Sequence, residues 1–182
     1  LTLITLISFI DDVRSLPSLF RLMIQFVATG LMFYQWQLFA MPWYVWLAAL
    51  VLCTGIINAY NFMDGINGIT GGYSLVVASA LWYINAQVVS FTDNNLIIIL
   101  LLSLLVFNFF NFRTKARCFA GDVGAVSIAF ILIFLIGRLI IKTGDFSYLI
   151  LLAVYGVDAV LTIIHRIQLK EPLMEAHRKH MY

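Results

Sequence analysis

Apolar residues run along this chain in long blocks, and charge enters only at their edges. No charged residue falls between Arg21 and Asp64, between Asp64 and Asp93, or between Asp93 and Arg113. A membrane-spanning helix needs about 20 predominantly apolar residues, so each block holds one or two spans. A soluble helix would carry a polar face throughout, and these blocks have none. The pattern predicts helices over about 1–10, 18–38, 43–61, 69–91, 95–112, 123–142 and 147–165, followed by a tail at 166–182. Pro42, Asp93-Asn94-Asn95 and Lys142-Thr143-Gly144-Asp145 mark turns between them. The expected fold is all-α, a polytopic transmembrane helix bundle. No repeat or linker divides it, so residues 1–182 read as one integral-membrane domain. Residues 1–10 lack a basic leader and read as the inner end of a longer span, which makes the chain a fragment truncated at its N-terminus and at its C-terminus.

Composition strengthens this reading. Hydrophobic residues make up 63% of the 182 positions and charged residues 11%, too greasy a balance for a soluble domain to bury in one core. The formal charge of +2 points to no nucleic-acid partner, and the bilayer is the expected surrounding. Cys53 lies in an apolar run and Cys118 in a basic loop, which argues against a disulfide between them. The distribution of charge says more than its sum. Arg14, Arg21, Arg113, Lys115, Arg117, Arg166, Lys170, Arg178 and Lys179 fall on one side of the predicted spans, against Arg138 and Lys142 on the other. By the positive-inside rule the richer side is cytoplasmic.

Acidic residues obey no such rule, yet they gather on that same side. The pair Asp11-Asp12, then Asp64, then Asp122 in "AGDVG" come from separate segments. Clustered carboxylates at a membrane edge call for a compensating cation. A hard divalent ion such as Mg2+, with Mn2+ as the alternative, takes oxygen ligands, few of them from protein, and fills the rest with water and substrate phosphate. Within "NAYNFMDGINGITGG", Asn58, Asn61, Asp64 and Asn67 recur every three residues and would share one side if helical. The glycines around them permit a broken helix or close approach of a ligand, or else close helix packing. The tail carries His177, Arg178 and His180, groups that bind a diphosphate by charge-assisted hydrogen bonds or touch anionic headgroups. Asp158 interrupts an apolar run and is expected to support the site.

These segments, "FIDDVRSLPSLFRLMIQF", "NAYNFMDGINGITGG", "FAGDVGA", "GVDAVLTIIHR" and "EAHRKHMY", together resemble the polyprenyl-phosphate N-acetylhexosamine-1-phosphate transferases. The motifs occur in that family's order from one end of the chain to the other. The resemblance implies Mg2+-dependent transfer of a sugar 1-phosphate, GlcNAc-1-phosphate by preference, from a UDP-N-acetylhexosamine to polyprenyl (undecaprenyl) phosphate. UMP is released, and a cell-envelope polysaccharide is begun on the cytoplasmic face of the bacterial inner membrane. It implies Asp11 as base, beside its neighbour Asp12, with Asn61 and Asp122 at the metal. Asn67 would lie toward the uracil ring, Arg21 toward phosphate, and His177, Arg178 and His180 on the diphosphate. Asp64 matches the aspartate of the family's "NxxDG" element. A homodimer accords with the resemblance. Asn67 stands where relatives often carry aspartate, and "HRKH" is not the histidine triplet of the peptidoglycan-precursor branch, which favours a donor without a peptide.

Two other classes fit the pattern less well. An intramembrane prenyltransferase would need a second aspartate-rich element, and the chain has none. An ion-coupled transporter would place its polar residues near mid-membrane, whereas here they lie at one edge.

Overall fold

A computed structural model describes residues 1–14 and 16–168, and among these it is helical throughout, without strands. The seven α-helices are α1 (Thr2–Val13), α2 (Ser18–Gln35), α3 (Trp43–Met63), α4 (Ile69–Gln87), α5 (Asn94–Asn111), α6 (Gly121–Thr143) and α7 (Ala153–Gln168). Short 3-10 segments at Leu38–Ala40 and Phe146–Leu152 precede α3 and α7. By length and composition, α3, α5 and α6 are each able to cross a membrane. Large apolar side chains such as Val51, Leu102, Val106 and Phe109 are exposed on the outside of the bundle, as a lipid solvent allows. The protein is a polytopic helical membrane protein.

Helix α6 is the centre of the bundle. Half of its apolar window is buried, against 28% in α3 and 22% in α5, and α1, α3 and α4 all pack on it. Ala125, Ala129, Leu132, Leu135 and Leu139 form its fully buried face. Tyr155 of α7 stacks on Tyr73 of α4 with ring centroids 4.5 Å apart and meets Tyr60 of α3 at a tilt with centroids 4.4 Å apart, tying three helices together.

Several element boundaries differ from the sequence expectation, three of them with consequences for the site or the hairpins. Helix α1 runs on through Asp11 and Asp12 to Val13, so the aspartate pair stands on a helical turn and not in a loop. Helix α4 stops at Gln87, short of 91, because the Asn85 amide organises the hairpin: its oxygen accepts from the Phe91 and Thr92 N–H groups and its nitrogen donates to the Thr92 carbonyl. The span expected at 147–165 starts as a 3-10 segment. Asp145 accepts from both the N–H and the hydroxyl of Ser147, which starts a tight turn, and the Tyr73 hydroxyl donates to the Leu151 carbonyl where the winding changes.

Candidate active site

Adjacent residues on an α-helix diverge by about 100°, so the last turn of α1 sends its two carboxylates in different directions. Asp11 turns toward α2 and α6. Its Oδ1 accepts from the Leu16 N–H at 2.6 Å, and its Oδ2 accepts from Arg21 Nη1 at 2.7 Å. The same Arg21 nitrogen reaches Asp122 Oδ2 at 3.2 Å, so one guanidinium spans two carboxylates. Asp11 lies in the last turn of α1, outside the three helices of membrane-crossing length. Burial pushes its carboxyl upward, but hydrogen bonds with Asp122, Leu16 and Arg21 and the Arg21 charge outweigh that and hold it below the ordinary range. It is therefore a carboxylate at neutral pH.

Asp12 turns the other way, toward the start of α6. Its Oδ1 accepts from the Asp122 N–H at 3.1 Å and its Oδ2 from the Val123 N–H at 3.2 Å. Asp64, at the C-terminal end of α3, accepts from the Thr70 hydroxyl and lies against the Gly121 N–H. Burial outweighs those bonds and raises its carboxyl above the ordinary range.

Asn61 hydrogen-bonds Asp122. One turn earlier on α3, Asn58 donates to Gln25 Oε1 at 3.1 Å and to the Thr54 carbonyl at 2.9 Å. Asn58, Asn61, Arg21, Gln25 and Asp122 line a cavity of about 20 Å3 whose remaining wall is apolar apart from Ser8 and comes from α1, from Ile24 of α2 and from Val126 of α6. That is room for roughly one water-sized particle.

The Asn/Asp stripe does not continue past this point. Helix α3 ends at Met63, and Gly68 takes φ +86° in the turn that follows, so Asn67 leaves the face shared by Asn58 and Asn61. Its amide donates instead to the Arg113 carbonyl at 3.0 Å, in the loop between α5 and α6. Asp158 lies half-buried in α7. His177, Arg178 and His180 lie outside the described residues.

Two contributors escaped the sequence reading. Gln25 is a buried amide on α2 that braces Asn58. Asn111, buried at the end of α5, accepts from the Gly68 N–H at 2.6 Å and donates to the Cys118 carbonyl at 2.7 Å. It thereby ties the α3–α4 turn to the loop entering α6. The available signal was an amide inside an otherwise apolar run, where an unpaired polar group is costly.

Beside Arg21, the cavity offers the carboxylate and amide oxygens of Asp122, Asn58, Asn61 and Gln25, hard ligands that suit Mg2+ chemically. Among the described residues no three His, Cys, Asp or Glu side chains form a metal cage. Mg2+ needs no cage, since it binds through one or two carboxylates and keeps water or substrate phosphate in its other positions. Asp122 with Asn61, beside Asp11, fits that demand.

Known proteins carry the same sequence pattern. The family described as "Glycosyl transferase family 4" matches residues 1–140. The Bacillus subtilis (strain 168) protein named "Probable undecaprenyl-phosphate N-acetylglucosaminyl 1-phosphate transferase" is 26% identical over 196 aligned residues, covering 99% of this chain and 54% of that protein. The Thermotoga neapolitana protein named "Phospho-N-acetylmuramoyl-pentapeptide-transferase" is 37% identical over 87 residues, 47% of this chain and 27% of its own length. A protein of the same name from Symbiobacterium thermophilum is 32% identical over 120 residues, 65% of this chain and 35% of that protein. The chain thus spans about half the length of the first of these relatives and less of the other two. With a match over residues 1–140 of 182, this chain belongs to glycosyl transferase family 4.

Proposed function

We propose that the protein containing this chain transfers N-acetylhexosamine 1-phosphate, preferentially GlcNAc-1-phosphate, from a UDP-sugar to undecaprenyl phosphate or a similar polyprenyl phosphate. The observation that carries this reading is the Asp11–Arg21–Asp122 bridge beside Asn61, where separate helices bring carboxylates and one cation together. The names of the relatives supply the substrate class.

In this reading the acceptor's phosphate oxygen attacks the sugar-bearing phosphorus of the donor. The bond from that phosphorus to the UMP oxygen breaks, and its electron pair leaves with UMP. Asp11, ionised and hydrogen-bonded, takes the acceptor phosphate's remaining proton. Arg21 exchanges part of its carboxylate pairing for the incoming phosphate, a bidentate guanidinium task. Asp122 and Asn61 would hold Mg2+, which when bound neutralises the diphosphate and the departing charge. Asn67 lies toward the nucleobase, and His177, Arg178 and His180 steady the diphosphate. Asp158 has a supporting role. The site faces the cytoplasm of a bacterial inner membrane, where nucleotide sugars are water-borne, while the acceptor's chain stays in lipid. A homodimer is the assembly we expect.

UMP release by membranes containing the full-length protein tests this. Release from UDP-N-acetylglucosamine that requires both polyprenyl phosphate and Mg2+ is the expected result. Release without the lipid, or none from any UDP-amino sugar, refutes the reading.

A further inference from the structure

We propose that Asp12 is a positioning residue that clamps the N-terminus of α6 and so fixes Asp122 opposite Asp11. The consequence for catalysis rests on the transfer reaction above; the clamp itself does not.

A helix begins with N–H groups that have no partner within it. Helix α6 has no side-chain cap of its own, since Ala120 precedes it. Its first N–H groups are instead met from another helix. Asp12 on α1 accepts from those of Asp122 and Val123, one on each oxygen. Its carboxylate thus sits at the positive end of the α6 dipole.

Gly121 is shaped to this contact. It takes φ +59°, and a Cβ built there would stand 2.9 Å from Asp12 Oδ2 and 3.5 Å from its carboxyl carbon. A side chain at this position would be strained by its own backbone and would push Asp12 away. The close approach therefore requires both Asp12 and a glycine from which four α-helices separate it in sequence.

The neighbouring aspartates consequently do different work. Asp12 has both oxygens committed to backbone N–H groups, while Asp11 faces Arg21 and the cavity-lining Asp122. The start of α6 is also closed as an anion site, because the donors a phosphate would use are taken. Asp12 acts on the reaction through Asp122 and not through the substrate.

The test compares Asp11→Asn, Asp12→Asn, Asp12→Ala and Gly121→Ala in the full-length protein, by UMP release and by amide hydrogen exchange in α6. Asp12→Asn keeps one acceptor oxygen and should retain about a tenth of turnover, the loss of one charge-assisted bond. Asp12→Ala and Gly121→Ala should each lose about 100-fold, although Gly121→Ala leaves every carboxylate chemically intact. In both, exchange at the Asp122 and Val123 amides should rise about tenfold or more, with the rest of α6 still protected. The Mg2+ concentration giving half-maximal rate should rise too, which a general loss of stability would not cause. Asp11→Asn should abolish turnover and leave that exchange unchanged. The clamp is overturned if Asp12→Asn is as dead as Asp11→Asn while both amides remain protected. It is equally overturned if Gly121→Ala exchanges and turns over like the wild type. Should the wild-type protein release no UMP at all, the transfer reading falls, and the exchange pattern alone still decides the clamp.

Discussion

Asp11 and Asp122 share one guanidinium, so neither can be neutralised without unbalancing the other. Asp11→Asn and Asp122→Asn should each lower UMP release by about 1000-fold, within the range expected for a general base or a metal carboxylate. Single-turnover assays on the full-length protein would check this, and near-normal rates would remove that residue from the chemistry. Asp64 makes the opposite kind of prediction. Burial raises its carboxyl above the ordinary value of 3.8 in spite of the bonds from Thr70 and Gly121. As pH rises, the unfolded chain loses this proton first, so ionisation favours unfolding. The associated loss of stability is absent below 3.8, grows as pH climbs to the folded-state value, and is complete above it. Asp64→Asn should therefore melt higher than the wild type at pH 7 in detergent, and the gap should close on acidification. A gap that widens toward acid would contradict the assigned burial. The residue types of this site were legible in the sequence as polar positions in an apolar field. Their partners were not, because Asp12 meets α6 across 110 positions, a distance no local spacing encodes.

Among the elements, the turn from α3 to α4 depends most directly on a glycine. Gly68 has φ +86°, its N–H is held by Asn111, and a Cβ there would run into the Phe112 ring. Gly68→Ala should cost about 1–3 kcal/mol from the backbone conformation alone. Asn111→Ala removes two hydrogen bonds and orphans a buried N–H, a loss of about 2–3 kcal/mol. Thermal melts of the two single variants and the double would show whether the turn and the α5–α6 loop act together, since a shared clasp gives less than the sum. Strict additivity would mean that Asn111 does not couple them. Helix existence was readable here from apolar blocks with punctuation at Pro42 and Asp93, where the Asp93 carboxylate does accept from the Asn95 N–H. Helix ends were less readable. Nothing in "FSYLILLAVYG" distinguishes the 3-10 turns from the α-helix that follows, because both are apolar and the change of winding depends on a tyrosine from α4.

For the molecule as a whole, the proposed orientation puts the basic α5–α6 loop, with Arg113, Lys115 and Arg117, in the cytoplasm beside the site. The two cysteines provide a direct check. Cys118 is exposed in that loop, while Cys53 is buried within α3, so a thiol reagent in water has access to one and not the other. A membrane-impermeant maleimide should label Cys118 in inverted membrane vesicles and leave it untouched in intact spheroplasts. Cys118→Ala should abolish the signal attributed to this segment. Asp93→Cys, on the hairpin between α4 and α5, should show the reverse pattern, because α5 separates it from Cys118 by 18 helical residues. At a rise of about 1.5 Å per residue that helix covers nearly the whole hydrocarbon layer. Labelling of Cys118 from outside would invert the bundle and deny the site its water-borne nucleotide. Labelling of both positions from one side would mean that α5 does not cross the membrane.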